Sequence, residues 1–184
     1  MDNMKQKVVL AVCGGIAAYK TPDLVSGLRK AGFRVEVMQT PNSEHFVTPE
    51  ALRVMADKYW TMDWGNPDHI NVSAEMTSRD AFVVAPATAN TIAKMAHGIA
   101  DNIITDTILA LPREVNAIIC PAMNSRMYRN NFVQANIQSL RDDGWEVLEP
   151  ATGELACRTE GEGKLPSTRE IVNFIKKVIG DEEE

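Results

Sequence analysis

Val8-Val9-Leu10-Ala11-Val12-Cys13 runs straight into Gly14-Gly15 (VVLAVCGG, residues 8–15), a junction that sets the class of the fold. A nearly continuous apolar run suits a strand buried on both faces of a parallel sheet. Working outward, Arg34–Gln39 (RVEVMQ) alternates and predicts a second strand. Ala81–Ala85 (AFVVA), Ala117–Cys120 (AIIC) and Trp145–Leu148 (WEVL) predict further strands. Helical patterns fill the gaps over 17–30, 49–56, 90–97, 102–110, 132–142 and 168–179. Strands alternating with helices imply crossover connections, hence an α/β fold with a mainly parallel sheet. Ligands of such sheets sit beyond the carboxyl ends of the strands, near the switch in strand order. The loops after Cys13, Gln39, Ala85 and Cys120 are therefore where a site is expected.

Local punctuation supports these elements. Thr48-Pro49-Glu50 offers an N-cap, a first-turn proline and an acid near the positive helix end. Ser167 with Glu170 reads as a capping box. Gly32 and Gly144 stand where left-handed C-caps are wanted. Thr21-Pro22 falls inside the first helical pattern and predicts a late start or a kink.

The chain has 184 residues, 45% hydrophobic and 24% charged, with a net charge of −6. These proportions exclude a disordered chain. The length predicts one domain over 1–184, ending in a short acidic tail at 181–184. Scattered Lys and Arg outnumbered by acids argue against a nucleic-acid partner. Cys13, Cys120 and Cys157 lie far apart without a CxxC, which predicts a reducing, cytoplasmic setting. The amino terminus does not read as a signal peptide, and no run is long enough to span a membrane.

Each candidate loop has a bland reading and a chemical one. Gly14-Gly15-Ile16-Ala17 is either a bare turn or a phosphate-binding approach to a helix start. Without GxGxxG it suits a mononucleotide better than a dinucleotide. Thr40-Pro41-Asn42-Ser43 either caps a helix or holds a phosphate. Pro86-Ala87-Thr88-Ala89-Asn90-Thr91 either N-caps a helix or lies against a flat ring. In Pro121-Ala122-Met123-Asn124, the asparagine either caps the next helix or grips a carboxylate. Met123 and Met127, at i and i+4, are packing residues by default. His69 lies in an irregular stretch and is either surface or a general base. His45 and His97 are read as surface, and the three histidines lack metal-site spacing. Leu155 to Leu165 reads as a glycine-bearing flap whose Cys157 is either inert or a proton donor. Cys13 and Cys120, inside apolar runs, are read as buried and inert.

The order of these pieces resembles the FMN-dependent cysteine decarboxylase family. GGIAAYK, Thr40 with FVTP, HI, APATANTIAKMAHGIADN, PAMNSRMY, and LAC with a glycine flap follow one another over about residues 5–178. The resemblance implies a three-layer flavodoxin/Rossmann-like domain, FMN as cofactor, and a homotrimer with FMN near a subunit interface. Such trimers can assemble into dodecamers. It assigns Gly14, Gly15 and Ile16 with Thr40, and Asn42 in the same loop, to the phosphate side of FMN. Thr88, Ala89, Asn90, Thr91 and Ala122 fall to the flavin. Asn124, with Met123 beside it, falls to the substrate carboxylate. His69 is implied as the base and Cys157 as the proton donor, with Glu154, Ala156 and Leu165 at flap positions. The implied reaction converts 4'-phospho-N-pantothenoylcysteine to 4'-phosphopantetheine in coenzyme A biosynthesis, through a thioaldehyde and an enethiolate.

The family pattern is not followed everywhere. The interval from His69 to Asp80 is longer than usual, Arg158 replaces a common glycine, and Lys164 replaces a common arginine. A fused downstream synthetase domain is not seen, so that ligase is expected as a separate protein. The competing readings are a peptidyl-cysteine decarboxylase of modified-peptide synthesis, a non-catalytic flavin-binding regulatory protein, and a flavin prenyltransferase. PAMN and the general match favour the small-molecule decarboxylase over the first, His69, Asn124 and Cys157 together argue against the second, and the glycine turn, PAMN and LAC argue against the third.

Overall fold

The computed structural model describes residues 5–62, 68–154 and 160–180. Ala156, Cys157 and Arg158, and the acidic tail at 181–184, lie outside the described residues.

The opening apolar run forms β1 (Lys7–Val12), buried along its whole length. The other strands of the main sheet are β2 (Arg34–Gln39), β3 (Lys58–Tyr59), β4 (Ala81–Ala87), β5 (Asn116–Pro121) and β6 (Glu146–Val147). They order as β3-β2-β1-β4-β5-β6, and every pairing is parallel. β1 and β4 are neighbours, so the order reverses between them, and the carboxyl ends there splay apart into a crevice.

Helices cover both faces. One face carries α1 (Thr21–Lys30), α2 (Pro49–Met55) and α8 (Thr168–Val178). The other carries α3 (Asp68–Ala74), α4 (Ala89–Ala96), α5 (Ile103–Ala110) and α7 (Asn131–Asp142). Two apolar clusters result. One joins Leu10, Leu28, Val37 and Ile175, and the other joins Val9, Phe82, Ile92 and Ile137. Alternate residues of β1 feed opposite clusters, as strand geometry requires.

The caps expected from the sequence are present. Thr48 accepts from Ala51 N–H at 3.3 Å, and Ser167 and Glu170 form a reciprocal box. Gly32 (φ +98) and Gly144 (φ +94) adopt the left-handed conformation behind α1 and α7. Pro22 does enforce a late start: Ile16–Lys20 is a 3-10 helix, and α1 begins only at Thr21.

Several expectations are corrected. His69 is not in an irregular stretch but in α3, which was missed because its sequence, DHINVSA, is too short to show a period. A second 3-10 helix covers Pro41–His45, and α6 (Ser125–Tyr128) is a single turn after PAMN. The stretch read wholly as a flap contributes a strand, β8 (Glu160–Lys164), which pairs antiparallel with β7 (Ala151–Glu154). Trp145 lies outside β6, with its ring against Phe82 at 6.4 Å.

Candidate active site at the carboxyl ends of the strands

The loops leaving β1, β2, β4 and β5 meet around a cavity of about 1070 Å³. Gly14, Gly15 and Ile16 form one wall, Thr40 and Asn42 the next, Thr88 to Thr91 the third, and Ala122, Met123 and Asn124 the fourth. Leu165 closes the side beneath the hairpin. Residues from distant points in the sequence thus share one space, because a parallel sheet delivers every strand's exit to the same edge.

The glycines let these loops approach. A Cβ on Gly14 would stand 2.5 Å from the Asn42 Cβ and 2.8 Å from its carbonyl carbon. The first two loops are therefore packed backbone against side chain. The following 3-10 helix opens at Ile16, and the first N–H groups of such a turn have no partner within it. The Thr40 side chain does not cap the helix that follows it. Its side chain makes no capping bond, and its Oγ1 is buried without any hydrogen-bond partner. Ser43 Oγ donates instead to the Thr40 carbonyl at 2.6 Å. A buried hydroxyl left unsatisfied is destabilising unless something brings an acceptor. Oxygen-rich anionic ligands do.

The third and fourth loops carry the capping bonds and also line the cavity. Thr88 caps α4 by accepting from Thr91 N–H at 3.4 Å, and its hydroxyl donates to Thr91 Oγ1 at 3.3 Å. Asn124 caps α6, its Oδ1 accepting from Arg126 N–H at 2.9 Å. That bond fixes the amide plane, and Nδ2 is the half of the side chain able to donate to a carboxylate. Beside it, Ser125 Oγ is buried without a hydrogen-bond partner. Beneath the third loop, burial pushes the Cys13 thiol up to about 11, although bonds to the Thr91 side chain and the Thr88 backbone pull it down. Burial alone raises Cys120 to about 12. Both are neutral packing thiols, as their apolar surroundings predict.

The cavity also holds residues that sequence reasoning missed: Tyr19, Lys20, Lys94, Asp101, Asn102 and Gly163. Lys94 pairs with Asp101 at 2.5 Å, and the Asn102 amide donates to the same carboxylate at 2.8 Å. The bond from Lys94, and then that from Asn102, hold the Asp101 carboxyl below its usual range. Lys94 was legible in principle, since it lies four residues after Asn90 and so on the same helix face.

His69 is not among the residues that line this cavity. It sits on α3, which packs against α5, with Ser73 Oγ donating to its carbonyl at 2.7 Å and to that of Thr107 at 3.3 Å. Glu154 ends β7 and is described as backbone only. Ala156 and Cys157 lie outside the described residues. No helix among the described residues is long and apolar enough to cross a membrane.

Comparison with known proteins gives the site a context. Residues 1–180 match the family described as Flavoprotein. Over 179 residues the chain is 41% identical to a probable phosphopantothenoylcysteine decarboxylase of Streptococcus mutans, covering 96% of this chain and all of that one. It is 39% identical over 180 residues to the coenzyme A biosynthesis bifunctional protein of Bacillus subtilis, spanning 96% of this chain but 44% of that longer protein. Among solved structures, a cysteine-to-serine mutant of PPC decarboxylase complexed with pantothenoylaminoethenethiol superposes with a TM-score of 0.85 at 27% identity, over 94% of this chain and 97% of that one. The FMN-binding protein AtHal3 superposes with a TM-score of 0.83 at 27% identity, over 98% of this chain and all of that one.

Proposed function

The chain belongs to the Flavoprotein family, and on that premise we propose that it is the FMN-dependent phosphopantothenoylcysteine decarboxylase of coenzyme A biosynthesis. The observation that carries the reading is the convergence of the glycine, Thr40, Thr88–Thr91 and PAMN loops on one cavity. The residues present fit FMN. The buried, partnerless Thr40 Oγ1 suits a phosphate oxygen, as do the N–H groups at the start of the 3-10 helix. Small Ala89 and Ala122 leave room beside Thr88 and Thr91 for a flat ring with polar edges. Bound FMN supplies a two-electron acceptor that is restored at the end of each turnover, so no external reductant is needed.

The remaining chemistry falls to the polypeptide. Asn124 holds the substrate carboxylate through Nδ2, with Met123 packed beside it, and so orients the bond that breaks as CO₂ leaves. His69 takes the thiol proton. Cys157 returns a proton to the enethiolate carbon, while Glu154, Ala156 and Leu165 shape the flap side. His69 serves the cavity of a neighbouring copy rather than its own. Supporting this, α3 exposes Ile70 (48%), α5 exposes Leu109 (57%), and Ile99 (49%) is exposed in the segment that precedes α5, apolar groups suited to association. The assembly is a homotrimer able to build dodecamers, and buried, unpaired Cys13 and Cys120 suit the cytoplasm.

The test is an assay of the FMN-loaded protein on two substrates. It should release CO₂ from 4'-phospho-N-pantothenoylcysteine and leave a peptide with C-terminal cysteine untouched. Turnover of the peptide alone would favour peptidyl-cysteine decarboxylation. A yellow protein that releases no CO₂ from either would favour a regulatory role.

A further inference from the structure

We propose that Gly163 is a positioning residue: a bulge in the β7–β8 hairpin turns its carbonyl outward to hold the PAMN loop, and no other residue fits there. Across the hairpin Ala151 pairs with Lys164 and Thr152 with Glu162. Gly163 is the residue skipped between them. A bulged residue drops out of the ladder, which leaves its backbone groups to bond elsewhere. The Gly163 carbonyl accepts from Met123 N–H at 2.9 Å. The hairpin and the loop after β5 are thereby joined backbone to backbone.

Two features restrict the position to glycine. Gly163 has φ +123, a conformation that L side chains rarely adopt. A Cβ there would also lie 2.1 Å from the Met123 carbonyl oxygen and 3.2 Å from its carbon. Both neighbours are main chain, so neither can rotate aside. Any side chain must drive the hairpin and the loop apart.

The consequence reaches Asn124, the next residue along. Its backbone is set on one side by the Met123–Gly163 bond, and its side chain on the other by the Arg126 N–H. The carboxylate-binding amide is thus aimed by two fixed points rather than by the loop alone. Buried Leu165 anchors the end of β8 two residues further on. The Arg129–Glu162 pair at 3.1 Å links α6 to the same strand, but it is exposed and contributes little.

The inference rests on the assignment of this loop to the substrate. In Gly163→Ala the KM for the substrate should rise by about tenfold or more, with a smaller change in kcat and unchanged FMN affinity. Gly144→Ala is the control. It imposes a comparable backbone strain at φ +94, yet a Cβ there meets nothing within 4 Å, so KM should not move. Amide exchange followed by NMR needs neither substrate nor a foldable variant. In the native protein the Met123 amide should be protected, and where Gly163→Ala folds, that protection should be lost at Met123 while core amides keep theirs. A folded, FMN-loaded Gly163→Ala with native KM, or an unprotected Met123 amide in the native protein, would overturn the proposal. A protected amide in a protein that ignores the substrate would instead reject the functional reading and leave the pairing intact.

Discussion

Opposite ends of the sheet carry cavities of similar size and contrasting chemistry. The groove at the amino ends of β1, β2 and β4 is the larger, about 1220 Å³ against about 1070 Å³. It is rich in charge, and each of its carboxylates has a partner. Asp80 accepts from Lys7 N–H at 2.8 Å, from Thr77 N–H at 2.9 Å and from the Thr77 hydroxyl at 3.0 Å. Arg29 pairs with Asp57 at 3.3 Å, and the other Asp57 oxygen accepts from Val35 N–H. The wholly buried Glu36 accepts from Trp60 Nε1 at 2.8 Å; its second oxygen makes no hydrogen bond but lies 2.9 Å from Arg34 as an ion pair. At the carboxyl ends, by contrast, Thr40 Oγ1 has no partner, and two glycines hold back side chains from the space. Volume does not identify a site. Unsatisfied polar groups with room in front of them do, because a folded chain carries them at a loss of stability that a ligand can recover.

This contrast can be broken from either end. The largest effect is expected at Asn124. Asn124→Asp should abolish turnover while FMN stays bound, because a carboxylate would then face the substrate's own carboxylate; turnover and flavin fluorescence report the two halves separately. Next comes Thr40→Val, which removes the orphaned hydroxyl and keeps the shape. It should raise the melting temperature of the FMN-free protein by a few degrees and weaken FMN binding by about ten- to a hundredfold, the equivalent of one hydrogen bond to a charged acceptor. At the opposite end the pattern should invert. Asp80→Ala strands the Lys7 N–H and should lower stability by about 1–3 kcal/mol in denaturant titrations, with FMN affinity unaltered. The smallest effect belongs to Arg29→Gln, a half-exposed pair that should lower stability by less than about 1 kcal/mol. An effect of Asp80→Ala or Arg29→Gln on FMN affinity would erase the distinction between the two ends.

Legibility in the sequence followed the length and burial of each element. β1, β2, β4 and β5 are central strands, and their apolar or alternating runs announce them. β3 is a two-residue edge, Lys58–Tyr59, too short to carry a pattern. β8 reads EGEGK, composed of residues with poor strand propensity, so nothing local distinguishes it from a loop. Its bulge and its bond to Met123 exist only once the hairpin has folded onto PAMN. The cap-or-ligand choices at Thr88 and Asn124 were unresolvable for a different reason. A capping bond uses the side-chain oxygen, and it is compatible with a ligand role for the same residue, so the two readings do not exclude each other. His69 was recognisable by resemblance, yet its helix and its place outside the cavity depend on packing against α5, which no local signal encodes.

The most direct test of the central claim is to load the protein with FMN, remove oxygen, and follow flavin absorbance on adding 4'-phospho-N-pantothenoylcysteine. Transient bleaching should occur and reverse as CO₂ and 4'-phosphopantetheine appear. A protein that takes up no FMN, or one whose bound flavin stays fully oxidised while CO₂ is released, would contradict the claim.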